Sequence, residues 1–166
     1  MKSKIAFLAL LFVSFMANAQ DKKAASPAET ATGTVNGAKI TVNYGAPSVK
    51  GREIWGGLVP YGKVWRAGAN DATTFETSQK ITVEGKELPA GKYSFFIIPE
   101  KESATIVFNK EAKQWGAYDY DEKKDQLRVV VKPTAAKSKT EKLTYSINAK
   151  GLLIQWDSWD IPVAIK

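Results

Sequence analysis

Apolar residues in this sequence recur at every second position in short runs, and nearly every run is closed by Gly, Pro, Asn, Asp or Ser. That pattern constrains the fold more than any other feature, because a period of two places alternate side chains on opposite faces of a strand. No stretch of ten or more residues carries the 3.6-residue stripe of an amphipathic helix. Runs fall at 32–35, 39–44, 74–77, 80–83, 92–98, 105–108, 127–131, 143–147, 152–156 and 161–165. The pair Asn36-Gly37 between the first two accepts the positive φ angles of a tight two-residue turn, so these runs form a hairpin with Ile40, Val42 and Tyr44 on one face.

Both faces of Tyr93-Ser94-Phe95-Phe96-Ile97-Ile98 are apolar, as in a central strand covered on two sides, whereas 127–131 is closer to alternation. Two layers follow. The expected fold is all-β, an antiparallel β-sandwich of about ten short strands in a single domain, with a closed β-barrel as the alternative. At 166 residues the chain is long enough to bury a core unaided.

The amino end reads differently. Lys2 and Lys4 precede an apolar run from Ile5 to Met16, and Ala17-Asn18-Ala19 follows. Cations, a short apolar segment and small residues in an A-x-A pattern make a secretory signal, expected to be cleaved after Ala19. The domain plan is therefore signal peptide 1–19, a polar and flexible leader 20–29, and a β-sandwich domain 30–166. The mature chain is expected to be exported, to the periplasm or beyond the cell, without a stable membrane anchor, and with no Cys it has no lipoprotein acylation site.

The chain contains neither His nor Cys. Ser-His-Asp and Cys-His nucleophile systems, thiol redox chemistry, His-ligated zinc and Cys-ligated clusters are excluded on that ground. The expectation is no cofactor and no metal. Removing the signal lowers the net charge from +7 to +5. No zinc finger, helix-turn-helix or RNA-binding aromatic motif accompanies that charge, so nucleic acid is not the expected partner; loose attraction to anionic envelope polymers is. The Lys-rich stretch 132–142 reads as a solvated loop.

One segment breaks the alternating rhythm. Almost thirty residues, from Gly45 to Ala72, separate two strand runs and hold six Gly, two Pro, two Trp and two of the three Arg in the chain. Irregular connections of this length are uncommon inside a domain and are functional or tied down by specific contacts. Surface charge here is supplied by Lys, so each Arg invites its own explanation: a planar fork of donors suits a carboxylate, a phosphate, a sugar hydroxyl or a set of backbone carbonyls. The candidate binding residues are Arg66 and Asn70 for orientation, Tyr61 and Trp65 for a stacking face, Asp71 as acceptor, and Lys50 and Arg52 facing the same space. The competing reading makes Arg66 and Asn70 a buried network that satisfies loop carbonyls.

Two other clusters are weaker. Asp119 to Asp125 places oxygen ligands at alternating positions, but it lacks the turn glycine of a calcium loop and carries two Lys. In Trp156-Asp157-Ser158-Trp159-Asp160, Trp156 continues the Leu152 and Ile154 face into the core, which leaves Trp159, at a turn, as the exposed aromatic.

The run V-N-Y-G-A-P-S-V-K-G-R-E-I-W-G-G-L-V-P-Y-G-K-V-W-R-A-G-A-N-D-A-T, followed by L-P-A-G-K-Y-S-F-F-I-I-P, I-V-F-N-K, W-G-A-Y-D-Y-D and D-Q-L-R-V, resembles a bacterial family catalogued as domain of unknown function 2911. The resemblance extends from about Ser26 almost to the end of the chain. It implies an exported β-rich domain and brings no activity, cofactor or catalytic residue with it. The functional expectation is thus a non-catalytic exported protein that binds carbohydrate or an envelope polymer through the 61–71 loop. A hydrolase using Asp71, Asp119 or Asp157 with Arg66, and a structural or protein-interaction module, are the alternatives; the oligomeric state is left open.

Overall fold

The computed structural model describes residues 25–166. The signal peptide and residues 20–24 of the leader lie outside the described residues. Ten strands and no α-helix follow: β1 (Ala28–Val35), β2 (Ala38–Gly45), β3 (Thr73–Thr77), β4 (Ile81–Val83), β5 (Lys86–Leu88), β6 (Gly91–Pro99), β7 (Ala104–Asn109), β8 (Asp125–Val131), β9 (Thr134–Asn148) and β10 (Gly151–Ala164). β1 starts at Ala28, so the last two residues assigned to the leader are already paired, with Gly45 and Tyr44.

Six strands form one antiparallel sheet in the order β1-β2-β3-β6-β7-β8, and the long hairpin β9–β10 makes the opposing layer, joined by the small hairpin β4–β5. The sheet is open, so the sandwich stands and the barrel does not. The first hairpin turns at Asn36 (φ 47°) and Gly37 (φ 84°), with Val35 opposite Ala38. Ile40, Val42 and Tyr44 point inward as the alternation requires, and meet Phe75, Phe95, Phe108, Leu143, Tyr145 and Trp156 in one buried cluster.

β6 is covered on both sides. Phe95 and Ile97 enter the main core, while Phe96 joins Ala72 and Val107 in a smaller cluster closed by Val64, Ile98, Ala117 and Tyr120. The segment between β7 and β8 is therefore packed down on the outer face of the sheet, which positions it beside the 46–72 connection.

Two expectations need correction. The Lys-rich stretch 132–142 is not a loop from residue 134 onward; it is the first half of β9, paired to the far half of β10 through Thr140–Asp157, Ala135–Trp159 and Thr134–Asp160. Most of its side chains are exposed, so no buried face imposes a period that sequence could reveal. The runs 152–156 and 161–165 belong to one continuous strand whose register shifts on either side of Asp157. Asp157 takes φ 50° there, a conformation typical of a bulge.

Candidate functional site

The 46–72 connection is tied at many points. The Ala46 amide donates to the Pro27 carbonyl at 2.8 Å, the Val49 amide to Glu141 at 2.8 Å, and the Leu143 amide to Pro47 at 2.9 Å, which binds the start of the connection to β9. Further along, Trp65 and Ile97 exchange both backbone hydrogen bonds, at 2.8 and 2.9 Å, so the connection adds a short rung to β6.

Four tryptophans lock it to β10. Trp55 stacks on Trp159 at 4.5 Å between ring centroids, Trp65 stacks on Trp156 at 5.4 Å, and Trp55 meets Trp65 edge-on at 5.7 Å. The Trp55 indole N–H donates to the Trp156 carbonyl at 3.3 Å. Trp156 is core as expected, 1% exposed. Trp159 is half-buried under Trp55 rather than free at a turn, because β10 does not turn there but bulges. Tyr61 leans on Trp159 at 6.3 Å. Two of the aromatics expected to stack on a ligand, Tyr61 and Trp65, thus pack mainly on protein, with Trp65 keeping a partly exposed edge.

The turn 66–73 is the tightest part. Ala67 and Asn70 both take positive φ, 55° and 66°. The buried Ala67 carbonyl accepts from the Tyr145 hydroxyl at 2.6 Å and from the Thr73 hydroxyl at 2.9 Å, and the Thr73 amide donates back to the Arg66 carbonyl at 3.1 Å. Burial pushes the Tyr145 phenol well above its ordinary pKa, with Tyr44 nearby adding to the effect, so it stays a donor. Gly45 makes the approach of the two segments physically attainable: a Cβ there would lie 2.2 Å from the Ala69 carbonyl oxygen. The carbonyl-satisfying work assigned by one sequence reading to Arg66 and Asn70 is done by Tyr145 and Thr73.

Arg52 does play a holding role, donating through Nε to the Val49 carbonyl at 3.0 Å and through Nη2 to Ser48 at 2.6 Å. The Lys50 side chain is exposed, and its backbone amide is held by Glu141 at 2.9 Å. Asp71 and Asn70 are exposed as well.

Arg66 differs from the other two Arg. Half-buried, it lines a cleft of about 400 Å³ with Arg52, Leu58, Trp65, Asn70 and Trp156. Its guanidinium has no hydrogen-bond or ion-pair partner among the described residues, and its Nε is buried without an acceptor. The Trp156 indole N–H, in the same wall, is also buried and unpartnered. Asn70 stands where this cleft meets a second one of about 420 Å³, lined by Glu29, Asn43, Asp71, Thr74 and Lys92. The structure thus brings Arg66, Asn70, Trp65 and Arg52 to one cleft and turns Asp71 toward the other; Lys50 and Tyr61 line neither.

In the segment between β7 and β8 the sequence pattern points only to the carboxylates. Asp125 does not offer itself to a cation: its carboxylate takes Asn109 Nδ2 at 2.8 Å, the Tyr120 hydroxyl at 2.6 Å and Arg128 Nε at 2.5 Å. Asp121 caps the amide of Lys123 at 3.0 Å. Burial, then the bond to Asp125, pushes the Tyr120 phenol up to about 12. Of the other carboxylates named for catalysis, Asp119 is exposed and Asp157 pairs with Lys139 at 3.1 Å.

This segment runs beside Arg66. The Ala72 amide donates to the Gln114 carbonyl at 3.0 Å. A Cβ on Gly116 would sit 3.2 Å from the Tyr118 ring and 3.8 Å from Arg66 Cδ, so glycine lets the Arg66 stem and the Tyr118 ring close on the same stretch of backbone. Trp115 and Tyr118 are exposed. The W-G-A-Y sequence was the available signal, two aromatics spaced by small residues in a polar stretch.

Residues 26–165 match a family model described as a protein of unknown function (DUF2911). No curated protein and no solved structure matches the chain.

Proposed function

The chain belongs to the DUF2911 family, whose description assigns no activity, and we propose that it is a non-catalytic binding protein of the cell exterior that takes a carbohydrate or an anionic envelope polymer in the cleft around Arg66. The observation that carries this reading is the guanidinium of Arg66, which lines a cleft and meets no acceptor among the described residues. A buried donor left without an acceptor costs about 1–3 kcal/mol. An arriving carboxylate, phosphate or hydroxyl oxygen removes that cost at the moment of binding. Asn70 at the rim adds a donor and an acceptor, and the tryptophan cluster keeps the wall rigid, so little ordering is needed. Location outside the cytoplasm rests on the Lys2 to Ala19 signal pattern.

The test is thermal unfolding of the protein without residues 1–19 across soluble glycans and anionic polymers. A ligand at a hundred times its dissociation constant adds about 2.7 kcal/mol, and Arg66→Ala should cancel the shift. Absence of any shift across such a panel overturns the reading.

A further inference from the structure

Four large hydrophobic side chains are exposed among the described residues: Leu58, Trp115, Tyr118 and Val130. Two of them, Leu58 and Tyr118, lie near Arg66, and Trp115 precedes Gly116, the glycine that the Arg66 stem approaches. Leu58 lines its cleft, and Trp115 and Tyr118, 61% and 82% exposed, flank the glycine whose backbone meets the Arg66 stem. We propose that Trp115 and Tyr118 are a stacking platform that works with Arg66 to bind an acidic polysaccharide, the aromatic rings taking the C–H face of a pyranose and the guanidinium its carboxylate. The proposal rests on the binding reading above and names the ligand class of that site.

Each half of the arrangement is unselective alone. An open aromatic ring packs on the apolar face of any sugar, neutral or charged. A free guanidinium takes any anion, a small inorganic one included. Set beside one backbone segment, they favour a ligand that carries a ring face and a carboxylate within one residue, as a uronic acid does.

The platform is held in place. The Gln114 side chain donates to the Glu111 carbonyl at 2.8 Å and to Asn109 Oδ1 at 3.1 Å, and the Gln114 backbone carbonyl accepts from the Ala72 amide. Gly116, at φ 64°, lets the chain pass under the Tyr118 ring. The backbone that carries both rings is therefore set before a ligand arrives. The charge balance agrees, with a formal net charge of +5 once residues 1–19 are removed, which draws an acidic polymer toward the surface.

The experiment is calorimetric titration with polygalacturonate oligomers, a neutral galactan oligomer of similar length, and sodium phosphate. Wild type should bind the acidic oligomer at least about tenfold more tightly than the neutral one, and Arg66→Ala should erase that preference. Trp115→Ala and Tyr118→Ala should each weaken the acidic oligomer about tenfold. Both aromatics are exposed, so these variants should keep the wild-type unfolding midpoint, and Trp115→Phe should restore most of the binding.

Acidic-oligomer binding that needs Arg66 but ignores both aromatics overturns the platform and leaves the binding reading standing. Equal affinity for neutral and acidic oligomers, or phosphate displacing the oligomer completely at equal concentration, overturns the selectivity. If no member of the wider glycan and polymer panel stabilises the protein, the binding reading itself falls and takes the platform with it.

Discussion

The Tyr145 hydroxyl donates to the Ala67 carbonyl oxygen at 2.6 Å, across 78 residues of chain. This bond fastens the turn that presents Arg66 to the hairpin on the opposite layer, so the geometry of the candidate site is set by a residue far from it in sequence.

The Ala67 carbonyl has a second donor in Thr73. Tyr145→Phe or Thr73→Val alone leaves one donor in place and should cost about 1 kcal/mol, whereas the double variant leaves a buried carbonyl with none and should cost roughly 3 kcal/mol. Urea unfolding of the four proteins measures the coupling. Simple additivity would mean that the two donors do not share one acceptor.

Arg66→Ala should leave the fold at least as stable as wild type, because no acceptor among the described residues is lost and a buried, unpartnered Nε is removed. Arg52→Ala should cost about 1 kcal/mol, since the Ser48 carbonyl loses its side-chain donor and the Val49 carbonyl keeps only the backbone amide of residue 52. Chemical denaturation of the two variants side by side decides; a large loss at Arg66 would make it a structural residue.

Gly45→Ala should be among the most damaging small substitutions. The added methyl group would meet the Ala69 carbonyl oxygen at 2.2 Å, and backbone rather than a mobile side chain has to give way. A cost of roughly 2–4 kcal/mol is expected, read as a fall in the thermal midpoint. A midpoint unchanged from wild type would show that the 66–73 turn moves freely.

Asp125→Ala should cost about 2–3 kcal/mol, because Asn109, Tyr120 and Arg128 lose a common acceptor whose side chain is 9% exposed. The effect should concentrate in the segment that carries Trp115 and Tyr118, so amide exchange there should quicken more than in β2 or β6. Uniform acceleration would contradict a local network.

Stability should fall in alkali. Tyr120 is pushed up to about 12, and Tyr44 and Tyr145 are also raised, in each case first by burial. The folded protein keeps these phenolic protons after the unfolded chain has lost its own near the ordinary tyrosine value of 10.0. The stabilisation is complete below about pH 10 and is lost as pH climbs through the folded values. Urea midpoints at pH 8, 10 and 11 should decline over the last step, less steeply in Tyr145→Phe; a flat series would refute the linkage.

Much of the fold was legible because buried strands write their burial into alternate positions: Ile40, Val42 and Tyr44 on β2, and both faces of β6. The turn at Asn36-Gly37 was equally plain, since positive φ narrows the choice of residue. The first half of β9 was not legible, because its exposed side chains face water and a solvated polar strand has no buried face to mark its period. Trp159 was misplaced for a related reason: a bulge at Asp157 looks like a turn when the partner strand is unseen.

The sequence by itself determined the class of fold, the two layers, the family and the stretch in which to look for a site, because all of these depend on local pattern and on residue type. Only the tertiary structure decided the division of labour within that stretch. Tyr145 and Thr73 hold the loop, Arg52 clamps the carbonyls of Ser48 and Val49, Arg66 is left without a partner among the described residues, and Tyr118 comes to the Arg66 stem from a distant part of the chain. Whether a polar side chain is satisfied depends on what lies across the fold, and that is a property of packing between segments distant in sequence.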